Sequence, residues 1–286
     1  MAAVQQAPDT PLKDQRKFIQ LIDAVFASGA KKAARYNDNH GYFTPVGVNG
    51  AVRYVLNKLP PDRHKIVVPD FLKKGYDANK RMWVVGGPNA AGKTTLVEEL
   101  FKVLGQTNLV RLNADVRTKE LHPLYPIMLL PERNLMAAQQ IDAEVMDCIK
   151  TDRSFLVETV LSSGKYRDDV ILAKEQGFKI IFLYVSLFPE ELSPARVQLR
   201  VLKKGHDVDP EKAIKRYRSS HKEAAWFAQQ ADAFIAFDNS ALDRKPIMVA
   251  AKLIGEELVV RKTGVNPNLD KVVRAAKAPL AAPIIG

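Results

Sequence analysis

A glycine-rich segment near residue 90 carries the residue types that bind phosphate. Residues 87–94 read Gly-Pro-Asn-Ala-Ala-Gly-Lys-Thr, follow an apolar run that ends at Val85 and precede a helical pattern. This is the G-x-x-x-x-G-K-[ST] spacing, in which backbone N–H groups and a helix N-terminus surround phosphate oxygens. The pattern predicts a bound triphosphate, with Lys93 on the β and γ phosphates and the Thr94 hydroxyl on Mg²⁺.

Nearly every residue of this segment is a predicted nucleotide contact. The alternative interpretation is a glycine-rich turn whose lysine is only solvated. The strand before the segment and the helix after it favour phosphate binding, because this pattern binds phosphate where it connects a strand to a helix. The predicted contacts are Gly87, Asn89, Ala90, Ala91, Gly92, Lys93, Thr94 and Thr95.

A carboxylate follows the second apolar run. Residues 109–112 predict a strand, and Asp115 comes shortly after it. Parallel strands bind ligands at their carboxyl ends, so Asp115 is predicted to lie near the glycine-rich segment. There it would accept a proton from a substrate hydroxyl, which makes it a predicted catalytic base and substrate contact. The alternative is that Asp115 caps the helix that runs toward Leu121.

The third apolar run ends in two further predicted substrate contacts, Glu158 and Thr159. Residues 154–157 predict the strand, so both side chains follow it at the same edge of the sheet. Glu158 would bind either a Mg²⁺-bound water or a substrate hydroxyl. The alternative is an ion pair between Glu158 and a neighbouring arginine or lysine.

Two arginines on one predicted helix face are candidates for charge stabilisation. Arg196 and Arg200 are four residues apart, and a glycine turn and a second basic helix follow them. This pattern is typical of a lid that closes over a triphosphate, which makes both arginines predicted catalytic residues. The alternative is a solvated pair of basic helices. His206, in the turn, has no partner at metal-ligand spacing and is predicted to form hydrogen bonds.

These residues need a scaffold that brings strand ends together. Apolar runs predict five buried strands, and the segments between them carry helical periodicity. The alternation predicts an α/β fold with a central five-stranded, mainly parallel sheet flanked by helices. The strands are predicted at 82–85, 109–112, 154–157, 179–186 and 233–237, and the helices at 93–104, 133–150, 166–176, 194–204 and 210–229.

The α/β domain is predicted to span residues 81–258, between two dissimilar flanks. Residues 1–80 are predicted to be a helical N-terminal extension, because 12–27 and 45–59 show amphipathic periodicity. Residues 259–286 are rich in Ala, Pro and Lys and are predicted to form a loose basic tail.

The formal net charge of +11 belongs mostly to the flanks, since residues 1–80 carry +6, 81–238 carry +1 and 239–286 carry +4. A nucleic-acid partner is therefore not excluded, although the central domain does not require one.

Cys148 is the single cysteine, which excludes an intrachain disulfide and a cysteine-based zinc site. No apolar run reaches the length of a membrane span, so we expect no membrane partner and a cytoplasmic protein.

Five segments, taken in order along the chain, resemble the zeta toxin family of P-loop kinases. They are GPNAAGKTT, LNAD, VETVLSS, ARVQLRVLKKGHDVDPEKAIKRY and FDNS. The resemblance covers roughly residues 81–240. It implies a P-loop nucleotide-kinase-like fold, ATP and Mg²⁺ as cofactors, and phosphorylation of a hydroxyl of UDP-N-acetylglucosamine. By motif it implies that Lys93 and Thr94 bind the phosphates and the metal, that Asp115 is the base and that Glu158 meets the substrate.

The resemblance leaves two points open. Where some zeta toxins carry a second lid arginine, this chain reads Gly205-His206-Asp207, so the second positive charge comes from His206 or Arg216, or is absent. In such systems an all-helical antitoxin blocks the nucleotide site. Residues 10–75 are therefore hypothesised to inhibit the kinase in cis, with an inhibitor in trans as the alternative.

Three functions compete on these observations. The first is a kinase that phosphorylates a small nucleotide-containing molecule. The second is a kinase with the same fold whose acceptor is a nucleoside, a dinucleotide or a polynucleotide end, which the basic flanks favour. The third is a non-enzymatic binding module whose conformation ATP controls.

Overall fold

The computed structural model describes residues 80–104, 109–202, 207–241, 246–252, 254–255 and 257–278. The predicted N-terminal helices, the hypothesised inhibitory segment 10–75 and the turn at His206 lie outside these residues. Those predictions stay predictions.

A central sheet orders the described part of the chain. Its strands are β1 (Arg81–Gly86), β2 (Val110–Leu112), β3 (Phe155–Thr159), β4 (Lys179–Ser186), β5 (Ala233–Asp238), β6 (Ile247–Lys252) and β7 (Val259–Val260). Their spatial order is β2-β3-β1-β4-β5-β6-β7, with β1 to β5 parallel and the last two antiparallel. The α/β prediction and its five parallel strands are confirmed. The strand number is wrong, because two short antiparallel strands extend one edge.

Seven helices in the described residues connect and cover the strands. They are α1 (Lys93–Leu104), α2 (Ala114–Leu124), α3 (Leu130–Lys150), α4 (Arg167–Glu175), α5 (Leu192–Leu202), α6 (Pro210–Gln230) and α7 (Pro267–Lys277). The five predicted helices are present, and their bounds shift by at most three residues. In this part of the chain, no helix combines the length and the apolar character that crossing a membrane requires.

The parallel strands are buried on both faces, as strands between two helix layers must be. Trp83 and Ile181 pack in the core on one face, whereas Phe182 and Phe234 pack in the core on the other. The rings of Phe182 and Phe234 stack with their centroids 5.5 Å apart. Because β1 to β5 pair in parallel, their carboxyl ends meet at one edge of the sheet.

Residues 259–278 are folded, which corrects the prediction of a loose tail over this part of 259–286. Helix α7 buries Leu269, Val272 and Val273 and packs against α6. Asn266 caps α7, because its side-chain oxygen accepts two N–H groups of the first turn. The Ala- and Lys-rich composition hid an apolar repeat at three- and four-residue spacing.

A buried polar chain joins α7 to the sheet and to α6. Asn266 Nδ2 donates to Ser186 Oγ at 2.9 Å and to Asp238 Oδ1 at 3.0 Å. Ser186 Oγ lies 2.7 Å from His221 Nε2, and His221 Nδ1 lies 2.9 Å from the Tyr217 carbonyl oxygen. Because a carbonyl only accepts, Nδ1 carries a proton. Burial lowers the pKa of His221 to about 4, so the ring is neutral at neutral pH and Nε2 accepts the Ser186 hydroxyl.

We expect His221 to make the folded protein sensitive to acid. Its folded pKa of about 4 lies below the ordinary value of 6.5, so between these pH values the unfolded chain binds a proton that the folded chain does not. Burial is the main cause; the Tyr217 carbonyl and Glu190 oppose it, and Lys271 adds to it. The free energy of unfolding should fall by up to about 3 kcal/mol as the pH falls through this range.

Urea unfolding at several pH values between 4 and 7 measures this effect. His221→Asn removes the titrating group, so its free energy of unfolding should lose this part of the pH slope, whatever its value at neutral pH. His122→Asn, at an exposed position on α2, should keep the wild-type slope. An unchanged slope in His221→Asn would show that other groups cause the acid sensitivity.

Candidate active site

The glycine-rich segment connects β1 to α1 and requires glycine at two places. Gly87 has a φ of +152°, and a Cβ there would lie 2.2 Å from the Val185 carbonyl oxygen in β4. Gly92 has a φ of +99°, and a Cβ there would lie 2.7 Å from Asn239 Nδ2. The loop therefore runs tightly against the ends of β4 and β5 and leads into the N-terminus of α1, where an anion binds.

Two residues outside the motif hold the loop in place. Asn239, directly after β5, donates Nδ2 to the Ala91 carbonyl at 2.8 Å. Ser193, at the start of α5, donates Oγ to the Asn89 carbonyl at 2.9 Å. Between these two anchors Ala90 adopts a φ of +56°, a conformation that costs a non-glycine residue free energy. Neither anchor was predicted as a site residue: Asn239 belongs to the FDNS segment, and nothing in the local pattern marks Ser193.

Lys93 lies at the centre of a group of charges. Its ammonium donates to two carbonyls of its own loop, at 2.8 and 2.9 Å. Burial lowers the pKa of Lys93 to about 8, while the nearby carboxylates of Glu158 and Asp115 raise it. The guanidinium groups of Arg200 and Arg216 lower it further. The predicted base, the predicted substrate acid and one predicted lid arginine thus lie close enough to Lys93 to shift its pKa.

Glu158 is bonded to the predicted metal-binding hydroxyl. Its Oε1 accepts the Thr94 hydroxyl at 2.5 Å, and its Oε2 accepts Asn113 Nδ2 at 2.7 Å. Strand register makes this possible, because Glu158 in β3 lies opposite Val85 in β1. The predicted alternative, an ion pair, is also present, since Arg111 Nη2 lies 3.5 Å from Glu158 Oε2. The carboxylate therefore belongs to the phosphate-loop side of the site.

Asn113 caps α2, and Asp115 does not. Asn113 Oδ1 accepts the N–H groups of Asp115 at 2.8 Å and of Val116 at 3.2 Å. The capping interpretation of Asp115 is therefore wrong. Its side chain is exposed in the first turn of α2, close enough to Lys93 to raise the pKa of that lysine. Asn113 was not predicted as a site residue, although it orients both Glu158 and the start of α2.

The two predicted lid arginines occupy different places. Arg196 Nη2 donates to the carbonyls of Ser240 at 3.2 Å and Ala241 at 3.4 Å, and burial lowers the pKa of Arg196 to about 10. Arg200 instead lies near enough to Lys93 to lower the pKa of that lysine. Only Arg200 of this pair is thus brought to the phosphate loop, while Arg196 holds the segment after β5.

Thr159, the other predicted substrate contact, shapes the loop after β3. Its hydroxyl oxygen accepts the Leu161 N–H at 3.1 Å. Leu161 has a φ of +57°, so this bond supports a backbone conformation that leucine rarely adopts. Thr159 is half-buried at the same edge of the sheet as Glu158.

The oxygen donors of the site fit a nucleotide-bound Mg²⁺. Among the described residues, no group of three or more His, Cys, Asp or Glu side chains could hold a metal by itself. The donors here are the Thr94 hydroxyl and the Glu158 carboxylate, and Mg²⁺ typically completes its shell with waters and substrate phosphates. The arrangement fits a metal that arrives with a nucleotide.

A family model described as Zeta toxin matches residues 69–245, which is more than half of the chain. This chain belongs to the zeta toxin family. The resemblance seen in the sequence is confirmed, and the sheet described above is the P-loop kinase fold of a zeta toxin.

Two solved structures of one complex share the fold of this zeta toxin-family chain. The AvrRxo1-ORF1:-ORF2 complex with ATP is 18% identical, with a TM-score of 0.51 over 86% of this chain and 83% of the other. The same complex with sulphate ions is 17% identical, with a TM-score of 0.50 over 86% and 84%. A structure of the PezAT toxin-antitoxin system of Streptococcus pneumoniae is 16% identical, with a TM-score of 0.44 over 72% and 89%. No curated protein sequence matches the chain.

Proposed function

We propose that this zeta toxin-family protein is an ATP-dependent kinase that phosphorylates a hydroxyl of a small nucleotide-containing acceptor, with UDP-N-acetylglucosamine as the first candidate. The observation that carries the proposal is the grouping of Asp115, Glu158 and Arg200 around Lys93. Phosphoryl transfer requires cations that bind the phosphates and a carboxylate that accepts the hydroxyl proton. It also requires that the protein hold the hydroxyl in line with the transferred phosphate.

Each residue of the group has its own role. Lys93 binds the β and γ phosphates, and the loop from Gly87 to Thr95 holds them with its backbone N–H groups. Asp115 accepts the proton of the acceptor hydroxyl, for which its exposed carboxylate is available. Arg200 offsets the charge that develops on the transferred group. Arg196 supports catalysis from the segment after β5.

The metal side of the site rests on two residues. Bound Mg²⁺ neutralises phosphate charge; the Thr94 hydroxyl would be its protein ligand. The bond from Thr94 to Glu158 favours the water shell of the metal over a substrate hydroxyl as the partner of Glu158. Asn113 keeps the Glu158 carboxylate in this orientation through its bond of 2.7 Å.

A nucleic-acid or dinucleotide acceptor is the second candidate. Helix α6, which carries Arg216, exposes Lys212, Lys215 and Lys222 to solvent. Such a basic face binds phosphates without regard to base sequence, and its binding weakens steeply with salt. A strong dependence of acceptor affinity on salt concentration would favour this candidate over a single sugar nucleotide.

One labelling experiment tests the proposal. The full-length protein is incubated with Mg²⁺, γ-labelled ATP and, separately, sugar nucleotides, dinucleotides and oligonucleotides. Label in a sugar nucleotide supports the first candidate, and label in an oligonucleotide or dinucleotide moves the assignment to the second. Labelled phosphate released with no acceptor labelled would overturn the kinase proposal.

The activity is proposed to be restrained by an antitoxin-like inhibitor, in cis through residues 10–75 or in trans through a separate chain. Deleting residues 10–75 is expected to raise the rate of ATP turnover if the inhibitor is part of this chain. The measurement is the steady-state rate of ADP release by the full-length and shortened proteins. An unchanged rate would refute inhibition in cis.

A further inference from the structure

Asn266 uses both polar atoms of its side chain, although only 1% of the residue is exposed. Its Oδ1 caps α7 by accepting the N–H groups of Asn268 at 3.2 Å and Leu269 at 3.1 Å. Its Nδ2 donates to Ser186 Oγ at 2.9 Å and to Asp238 Oδ1 at 3.0 Å. A helix cap requires only an oxygen, which serine or aspartate also supplies. The amide nitrogen therefore has a second role, outside α7.

The two residues that this nitrogen bridges are the last residues of neighbouring strands. Ser186 ends β4, Asp238 ends β5, and the two are partners in the parallel register. Helix α7 packs in the core that contains Phe182, whereas α1 packs in the core that contains Trp83. The amide of Asn266 therefore joins the two strand ends from the face of the sheet opposite α1.

The same strand ends contact the phosphate loop. The carbonyl directly before Ser186 lies so close to Gly87 that an added Cβ would be 2.2 Å from it. The residue directly after Asp238 is Asn239, which donates Nδ2 to the Ala91 carbonyl at 2.8 Å. The Asn239 N–H in turn donates to the Ser186 carbonyl at 2.8 Å. Each bridged residue is thus the chain neighbour of a residue that contacts the loop.

Asp238 connects the amide of Asn266 to the turn that carries Asn239. Its carboxylate accepts the Ser240 hydroxyl at 2.5 Å and the Ser240 N–H at 3.3 Å, which closes the turn. Asp238 is 1% exposed, and a buried carboxylate depends on its hydrogen-bond donors because water cannot replace them. Without the amide of Asn266 we expect the carboxylate to turn, and Ser240 and Asn239 to move with it.

We propose that Asn266 is a positioning residue for nucleotide binding, because its amide fixes the ends of β4 and β5 that hold the phosphate loop. Asn266 bonds the strand ends, and the strand ends contact the loop. The backbone N–H groups of the loop bind phosphate well only when they are held to within about 0.5 Å of the productive geometry. The proposal rests on the nucleotide binding of the proposed function and needs no phosphoryl transfer.

Binding of a non-hydrolysable ATP analogue with Mg²⁺ to the full-length protein tests the proposal. Asn266→Ser keeps an oxygen for the cap and removes the amide. Calorimetric titration, well below the melting temperature, should show a dissociation constant raised by about 2- to 30-fold. This is the usual range for a residue that acts on a ligand site from a distance.

Val272→Ala is the matched control, because Val272 is buried in the same helix and its side chain forms no polar bridge. It should lower the melting temperature and keep the wild-type affinity for the analogue. The proposal is wrong if Asn266→Ser binds the analogue like the wild type. It is also wrong if both variants weaken binding by the same factor, since the effect would then come from the stability of α7.

An exchange of the two side chains tests the bridge itself. Asn266→Asp keeps the cap but places a second carboxylate against Asp238, so the affinity for the analogue should fall. Adding Asp238→Asn provides a donor and an acceptor in exchanged positions and should recover part of the affinity. No recovery would show that the bridge does not position the loop. If Asn266→Asp does not fold, the comparison of Asn266→Ser with Val272→Ala decides alone.

Turnover separates this proposal from the kinase proposal. With the acceptor found by labelling, Asn266→Ser should raise the KM for ATP and leave the KM for the acceptor close to wild type. Analogue affinity that needs Asn266, with no acceptor labelled, would reject the kinase and keep the positioning role. Transfer with a wild-type KM for ATP in Asn266→Ser would keep the kinase and reject the positioning role. A wild-type protein that binds no analogue would reject both.

Discussion

Replacing Asp115 with asparagine is expected to lower phosphoryl-transfer turnover by about two to four decades, the usual loss when a general base is removed. An amide cannot accept the proton of the acceptor hydroxyl. The fold should be unaffected, because the side chain is exposed and Asn113 caps the helix. The measurements are the steady-state rate with the labelled acceptor and the dissociation constant of ATP, which should change little.

Asp168→Asn is the matched control for this substitution, since Asp168 is also an exposed aspartate in the first turn of a helix, α4. It should turn over like the wild type. Wild-type turnover in Asp115→Asn would exclude Asp115 as the base. If the wild type has no turnover and both variants keep ATP-dependent binding of a partner, the protein is a nucleotide-controlled binding module.

Gly87→Ala is expected to weaken ATP binding by about 100-fold, the scale on which a displacement of about 1 Å acts in an active site. The new Cβ would lie 2.2 Å from the Val185 carbonyl oxygen, and this is a backbone atom of a strand paired on both sides. The strand cannot give way, so the phosphate loop must shift. Titration with ATP and thermal unfolding measure the two consequences, weaker binding and a lower melting temperature.

Gly177→Ala separates crowding from backbone strain. Gly177 also has a positive φ, +82°, but a Cβ there would meet no atom within 4 Å. This variant should lose on the order of 1 kcal/mol of stability from the strained φ and keep wild-type ATP affinity. If Gly87→Ala also keeps that affinity, the contact with β4 does not hold the loop in its binding conformation.

Much of the fold could be predicted because buried strands and amphipathic helices carry their own periodicity. Strand β4 reads as a continuous apolar run and is predicted with its observed bounds, Lys179–Ser186. Strands β6 and β7 were not predicted from the sequence, since short strands at a sheet edge are only partly buried and their apolar pattern is weak. Helix α7 was not predicted either, because its Ala- and Lys-rich composition is typical of a loose tail. Its apolar repeat packs against α6, and this packing stabilises the helix.

The sequence by itself determined the presence of the phosphate loop, because its pattern of eight consecutive residues between a strand and a helix is local. It also determined that Asp115 and Glu158 follow strands whose carboxyl ends share an edge. Only the tertiary structure decided which distant residues complete the site. Glu158 meets Thr94 across 64 residues, Ser193 meets Asn89 across 104, and Asn239 meets Ala91 across 148.

Those long-range contacts also separated residues that look alike in the sequence. Arg196 and Arg200 share a helix and a charge, yet Arg196 bonds the carbonyls after β5 while Arg200 lies near Lys93. Side-chain type and spacing are local properties of the sequence. The burial and the partners of a side chain depend on the spatial order of the strands in the sheet, which local patterns do not contain.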